Sequence, residues 1–279
     1  AYVLREGEES RAYYMPILGD EGIRLAQPVK LPFTGPVDQL AFTPAGDELW
    51  AWAGAETGEP ALWSLAFSGD RFGEPARRLD LQDFPAGLAS ATAPAAGSII
   101  FDALEPETGR WQLFRLEGGV PARLLAEEAD SQSPALSPDG SVIVFSSNRD
   151  GAGGAKQDWG LWGYAVSTGR VFPVYDTAAD EGSPWFAPDG ALFFSSFDYA
   201  GGEPVGSIWR LGDLAKPRAE RLAGLEGLLL FPRPSPDGEW LLLTVYAEPH
   251  WTSRLVNLET LDSRPLTAEG VEVTFACWR

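Results

Sequence analysis

The sequence predicts an all-β fold, a six-bladed β-propeller, on three observations: a proline-centred turn that recurs at a near-constant interval, an apolar run after every turn, and two end segments that complete one another. The turn is plainest at Ser133-Pro134-Ala135-Leu136-Ser137-Pro138-Asp139-Gly140, Ser183-Pro184-Trp185-Phe186-Ala187-Pro188-Asp189-Gly190 and Pro232-Arg233-Pro234-Ser235-Pro236-Asp237-Gly238. Weaker copies stand at Thr43-Pro44-Ala45-Gly46 and Ala93-Pro94-Ala95-Ala96-Gly97. The marker prolines Pro44, Pro94, Pro138, Pro188 and Pro236 lie 50, 44, 50 and 48 residues apart, a period that signals propeller blades.

The chemistry of each element follows in order. In Pro-Asp-Gly, Pro presets φ, Asp bonds to nearby backbone and Gly accepts positive φ, so the triplet is a tight turn. Leu49–Trp52, Ile99–Phe101, Val142–Phe145, Ala191–Phe194 and Trp240–Leu243 follow these turns, with the length and the β-branched and aromatic content of buried strands. About fifteen residues later comes a second run (Ala61–Trp63, Gln112–Phe114, Gly160–Trp162, Ser207–Trp209, Arg254–Val256), then a shorter polar one such as Ala122–Leu125, Val171–Val174 or Glu220–Leu222. With the segment before the turn counted first, each repeat holds four antiparallel strands, graded from a buried inner position to a solvent-tolerant edge.

Five repeats run from about Val37 to about Gly270. The ends supply a sixth: Glu272–Trp278 aligns with an innermost strand, and Tyr2–Leu4, Ala12–Met15 and Ile23–Leu25 read as the second, third and fourth strands of the same blade. Pairing of the N- and C-terminal strands closes the ring, and residues 1–279 form one domain without a linker.

Composition agrees. Hydrophobic residues are 44% and aromatics 12%, with 11 Trp, enough for a packed core, and the 31 Gly and 23 Pro are scattered as many short strands require. With 21 basic against 40 acidic side chains the formal charge is −19, which repels nucleic-acid phosphates and anionic membranes. The acidity suits a well-solvated surface, or attraction to a basic partner or to cations. Cys277 is the sole cysteine, which excludes an internal disulfide and a Cys-rich zinc site. No apolar stretch reaches the roughly 18 residues of a membrane span. The sequence starts at Ala1 in a strand-like segment, so the expectation is an upstream segment removed, by export or by trimming.

The Ser-Pro-x-x-(Ser/Ala)-Pro-Asp-Gly turn, followed by a run such as Val142-Ile143-Val144-Phe145-Ser146-Ser147-Asn148-Arg149-Asp150-Gly151, resembles the TolB-like propeller repeat. The resemblance spans essentially the whole chain, strong in the three central repeats and degenerate where Ala45 or Ala95 replaces Asp. It implies a propeller that binds a protein or peptide outside the cytoplasm of a bacterium, periplasmic or extracellular after loss of a signal; a cytoplasmic location stays open.

For chemistry the residues offer little. The only histidine, His250, lies between apolar runs in Glu248-Pro249-His250-Trp251, and no Gly-x-Ser-x-Gly elbow exists, so no catalytic residue is expected. A carboxylate-dependent hydrolase or lyase acting on carbohydrate or peptide is the alternative, as is a propeller module of a larger enzyme. The Gly-rich stretch 148–158 lacks the ligand order of an EF-hand and the pattern of a phosphate loop. It reads as a hairpin loop; no cofactor is expected, with a loop- or channel-bound cation such as calcium as the alternative. Trp63, Trp162 and Trp209 recur in one strand of different blades and read as packing residues. Propellers commonly bind on the face formed by loops entering the first strand and leaving the second. That face collects Arg149, Asp150, Asp158 and Trp159 from one blade, Asp198 and Tyr199 from the next, and Glu248, His250 and Trp251 from the one after. Aromatic anchors beside charges suit a protein or peptide partner.

Overall fold

A computed structural model describes residues 1–278 apart from 7–8, 16, 19–23, 26, 34–35, 44, 55–59, 69–70, 81–87, 96–97, 106, 127–128, 150–154, 200–204, 217, 223–226, 248–249 and 268–270. The expected ring is present: six antiparallel sheets, each a blade, five of them with their main strands in sequence order from axis to rim. Blade 1 spans Val37–Asp80, blade 2 Leu88–Arg123, blade 3 Ser131–Tyr175, blade 4 Asp180–Arg221 and blade 5 Leu228–Pro265. Blade 6 is composite, with Glu272–Ala276 innermost, then Tyr2–Glu6, Glu9–Tyr14 and Val29–Lys30. Its seam pairs Tyr2 with Ala276, Val3 with Phe275, Leu4 with Val273 and Arg5 with Glu272.

One assignment is corrected. The fourth strand of blade 6 is Val29–Lys30, not Ile23–Leu25; Arg24–Leu25 instead pairs with Ile17–Leu18 in a separate two-stranded hairpin. Val29 and Lys30 are both exposed, so the rim strand carries no apolar signature to find in sequence.

The turn motif works as its residues dictate. Gly46, Gly140, Gly190 and Gly238 each donate their N–H to the carbonyl three residues back, at 2.9 Å in every case, and all four have positive φ, between 66° and 88°. Asp139, Asp189 and Asp237 each accept the N–H two residues on, at 2.9–3.0 Å. Ser137 and Ser235 add a hydroxyl that donates to this Asp and accepts the N–H of the next strand. These bonds to the ionised form hold Asp139 down at about 2. In the degenerate first copy Asp47 replaces the missing acid: Thr43 Oγ1 donates to it at 2.6 Å.

The Ser-Pro half of the motif has its own task. Ser133, Ser183 and Phe231, each directly before a proline, have φ of 50–56°, and at each the pairing of the innermost strand with the second slips by a bulge. The bulge bends the inner strand around the channel, and the fully buried Asp102 of blade 2 holds the Ser133 N–H at 2.6 Å.

Energetically the ring is a set of blade-to-blade interfaces. Each of the six has its own buried cluster, for example Trp50, Trp52 and Leu62 against Phe101 and Phe114 between blades 1 and 2, or Phe194 and Leu211 against Val144 and Leu161 between blades 3 and 4. Trp63, Trp162 and Trp209 pack among these clusters as expected. The closing interfaces draw on both chain ends: Val3 and Phe275 join Leu40 and Leu49 of blade 1, while Tyr2 and Val273 join Leu242 and Leu255 of blade 5.

Two outcomes follow for stability. Phe275→Ala empties a fully packed seam position and is expected to lose about 3–5 kcal/mol in chemical denaturation, with the loss felt as opening of the ring. Gly238→Val has open space for its side chain, so its penalty is conformational alone, about 1–2 kcal/mol from positive φ; a variant as stable as the parent in the same assay would remove the turn from the list of fold determinants.

Candidate functional site

The face opposite the Pro-Asp-Gly turns is built from the starts of the innermost strands and the ends of the second strands. Its organising feature is a repeated clamp. Asp130, just before the inner strand of blade 3, accepts the N–H of Trp111 in blade 2 at 2.9 Å; Asp180, at the same place in blade 4, accepts the N–H of Trp159 in blade 3 at 2.9 Å. Asp130 is further tied to Asn148, whose side-chain amide both accepts the Asp130 N–H and donates to its carboxylate, at 2.9 and 3.1 Å. Blade 4 lacks the Trp at this register and carries Gly206, where a Cβ would sit 2.6 Å from the Leu229 nitrogen; the next blade closes directly on its backbone.

The predicted residues divide as follows. Asp180 holds the Trp159 N–H, and its charge also acts on the Tyr199 phenol. Burial, then the Asp180 charge, pushes the Tyr199 phenol up from its usual range. Its ring nevertheless stays 54% exposed, beside exposed Asp198 and the 58% exposed Val205 that pairs with Asp198. His250 and Trp251 lie one blade further round, at the start of the third strand rather than in a loop, with Trp251 packed on Tyr246 at 4.9 Å between ring centres. Arg149 is buried: its guanidinium donates to Ser147 and Ser131 hydroxyls, both at 3.1 Å, and lies 5.1 Å from the Phe145 ring centre. It fastens the ends of blade 3 instead of presenting a charge. Asp150 and Glu248 lie outside the described residues.

Sequence reasoning missed Asp180 and its neighbour Glu181. Glu181 is 1% exposed and takes both the N–H and the hydroxyl of Thr177, which straps the loop entering blade 4. Burial first, then the Asp176 and Asp158 carboxylates, raise it to about 7, and the Thr177 bonds only partly offset this. Asp176 lies against Gly160, where a Cβ would come within 2.9 Å of its Oδ1. The spacing Asp130–Ser131 and Asp180–Glu181, fifty residues apart like the turns, is the signal that marks this position in the sequence. Among the described residues no cluster of three or more His, Cys, Asp or Glu is placed to hold a metal, and no helix is long and apolar enough to cross a membrane.

Neither a protein-family model nor a curated protein sequence matches the chain. Solved structures do. A TolB from Acinetobacter baumannii matches with TM-score 0.71 at 17% identity, over 98% of this chain and 64% of that one. A protein assigned as TolB from Agrobacterium tumefaciens matches with TM-score 0.66 at 19% identity, over 88% and 84%. A chain of a nidogen/laminin complex matches with TM-score 0.69 at 11% identity, over 98% and 97%. Identities this low establish a shared propeller fold and nothing finer.

The site has a pH signature. The folded protein keeps a proton on Glu181 that the unfolded chain loses above about pH 4.5, so this group's stabilisation is whole in acid and fades as pH rises through about 7. Glu181→Gln keeps an acceptor for Thr177 without the charge. It is expected to flatten the melting-temperature profile between about pH 5 and 8 and to gain up to about 3 kcal/mol over the parent at the alkaline end; parallel profiles for the two proteins would refute the assignment.

Proposed function

We propose that this chain is a non-enzymatic, TolB-like recognition propeller, exported in a bacterium, that binds a protein or peptide on the face carrying Trp159, Asp198, Tyr199, His250 and Trp251. The observation that carries the reading is Tyr199: a large aromatic left half in solvent, next to exposed Val205 and Asp198. Exposed aromatic anchors of this kind carry most of the energy of an interface. The surrounding carboxylates and the −19 charge favour a partner with basic residues around an apolar centre. The shared fold with TolB proteins and with a component of a nidogen/laminin complex supports a scaffold in an extracytoplasmic assembly.

The competing reading, a carboxylate-dependent hydrolase, finds its best candidate in Glu181, whose raised pKa resembles that of a general acid. Glu181 is engaged by Thr177 and closed off from solvent, which suits a strap under the loop. Affinity recovery from a bacterial envelope extract tests the binding reading. Tyr199→Ala/Trp251→Ala is expected to lower recovery of the bound protein by about thirtyfold or more at limiting bait, the scale of a lost hot spot, with an unchanged melting temperature. Equal recovery by parent and variant would move the interface elsewhere.

A further inference from the structure

At the opposite mouth of the ring, on the Pro-Asp-Gly side, a cavity of about 560 Å³ opens along the axis. Every blade contributes to its wall, through Phe42, Thr92, Ser137, Trp185, Arg233 and Trp278 among others. This size lies within the range of small-molecule sites, and half of the lining residues are aromatic or proline.

Two charged groups, Arg233 and Asp139, interrupt this lining, and Arg233 is its only cation. Arg233 is only 2% exposed, and its guanidinium lies 3.7 Å over the Trp185 ring, with the Phe275 and Phe231 rings 5.5 and 5.9 Å away. Its Nε finds no hydrogen-bond partner, and no carboxylate among the described residues pairs with it. Asp139, the acid on the same wall, is committed to the Ser137 and Ser141 hydroxyls and the Ser141 N–H. The Cys277 thiol near Arg233 is pushed up by burial and is neutral. Burial brings the guanidinium down to about 9, still charged at neutral pH. The Arg233 carbonyl in turn accepts the Trp278 indole N–H at 2.6 Å, which fixes that indole on the cavity wall.

A buried, unpaired cation is costly to a fold, and an apolar side chain of similar volume serves packing better. Its retention in a ligand-sized cavity has a direct explanation in an anion that enters from solvent. We propose that the axial cavity binds a monocarboxylate with an aromatic or apolar body, the carboxylate on Arg233 and the body between Trp185 and Trp278. With Arg233 the only cation on the wall and the Asp139 carboxylate already present there, a singly charged carboxylate is favoured over a phosphate dianion. The site is separate from the Tyr199 face and independent of the partner proposed there.

The test uses the intact protein and its tryptophan fluorescence, titrated with 3-phenylpropionate and its neutral isostere 3-phenylpropionamide. The carboxylate is expected to bind about tenfold or more tightly than the amide, and Arg233→Met to abolish that preference while melting at or above the parent temperature without ligand. A second pair, acetyl-Ala-Ala-Phe with a free or an amidated C-terminus, separates sources. Tighter binding of the free-acid peptide than of phenylpropionate points to a chain terminus as the natural ligand, weaker binding to a small metabolite; both support the site. The parent protein alone decides if Arg233→Met fails to fold. Equal binding of acid and amide, or no saturation of either by about 10 mM, overturns the proposal and leaves Arg233 as a stacking residue.

Discussion

Everything in this molecule depends on the pairing of Tyr2–Glu6 with Glu272–Ala276. Five blades with their own four strands make an arc, and an arc exposes an unpaired edge and two unfilled interfaces. Joining the chain ends inside the sixth blade removes both defects, since Val3, Phe275, Tyr2 and Val273 fill the clusters on either side. The seam is the contact of longest range in the chain, whereas each of the other blades is built from strands adjacent in sequence and set by local turn chemistry. The four matching glycine turns, with their Ser and Asp bonds, are the means.

Once closed, the ring fixes two mouths of different chemistry. One end of every inner strand meets a short turn whose hydrogen bonds are internal, leaving a rigid funnel. The other end meets longer loops, anchored where Asp130 and Asp180 reach across to the preceding blade. Such anchoring fixes the backbone at Trp111 and Trp159 and leaves Tyr199 uncovered. Interface clusters give the stiffness, and the exposed positions are free to serve recognition.

Repetition is why so much of this was legible in sequence. A turn that recurs five times reveals the blade, its strand order and the composite sixth blade, because each copy repeats one physical solution. What does not recur was not legible. Val29–Lys30 is a two-residue rim strand with no buried side chain, so no pattern announces it over Ile23–Leu25. Arg149 reads as an exposed loop charge beside a glycine-rich stretch, yet Ser131, Ser147 and Phe145 enclose it, an environment assembled from three separate places in the chain. Trp159 stands out in the sequence as an aromatic, but Asp180, the carboxylate that holds its N–H, sits at a blade boundary that the turn motif does not mark.

Arg233 shows the same limit from the other direction. It stands inside a clear copy of the motif, between Pro232 and Pro234, at the register that Trp185 occupies in blade 4. Local sequence treats it as a turn-flanking residue, and nothing nearby indicates that closure places it over a neighbouring blade's indole. The ring supplies that context, and it also makes the residue tolerable. With apolar burial divided among six interface clusters, one unfavourable charge at the axis weakens no single interface. A propeller therefore holds at its centre a group that a single compact core would reject, and the central channel is where chemistry foreign to the repeat accumulates.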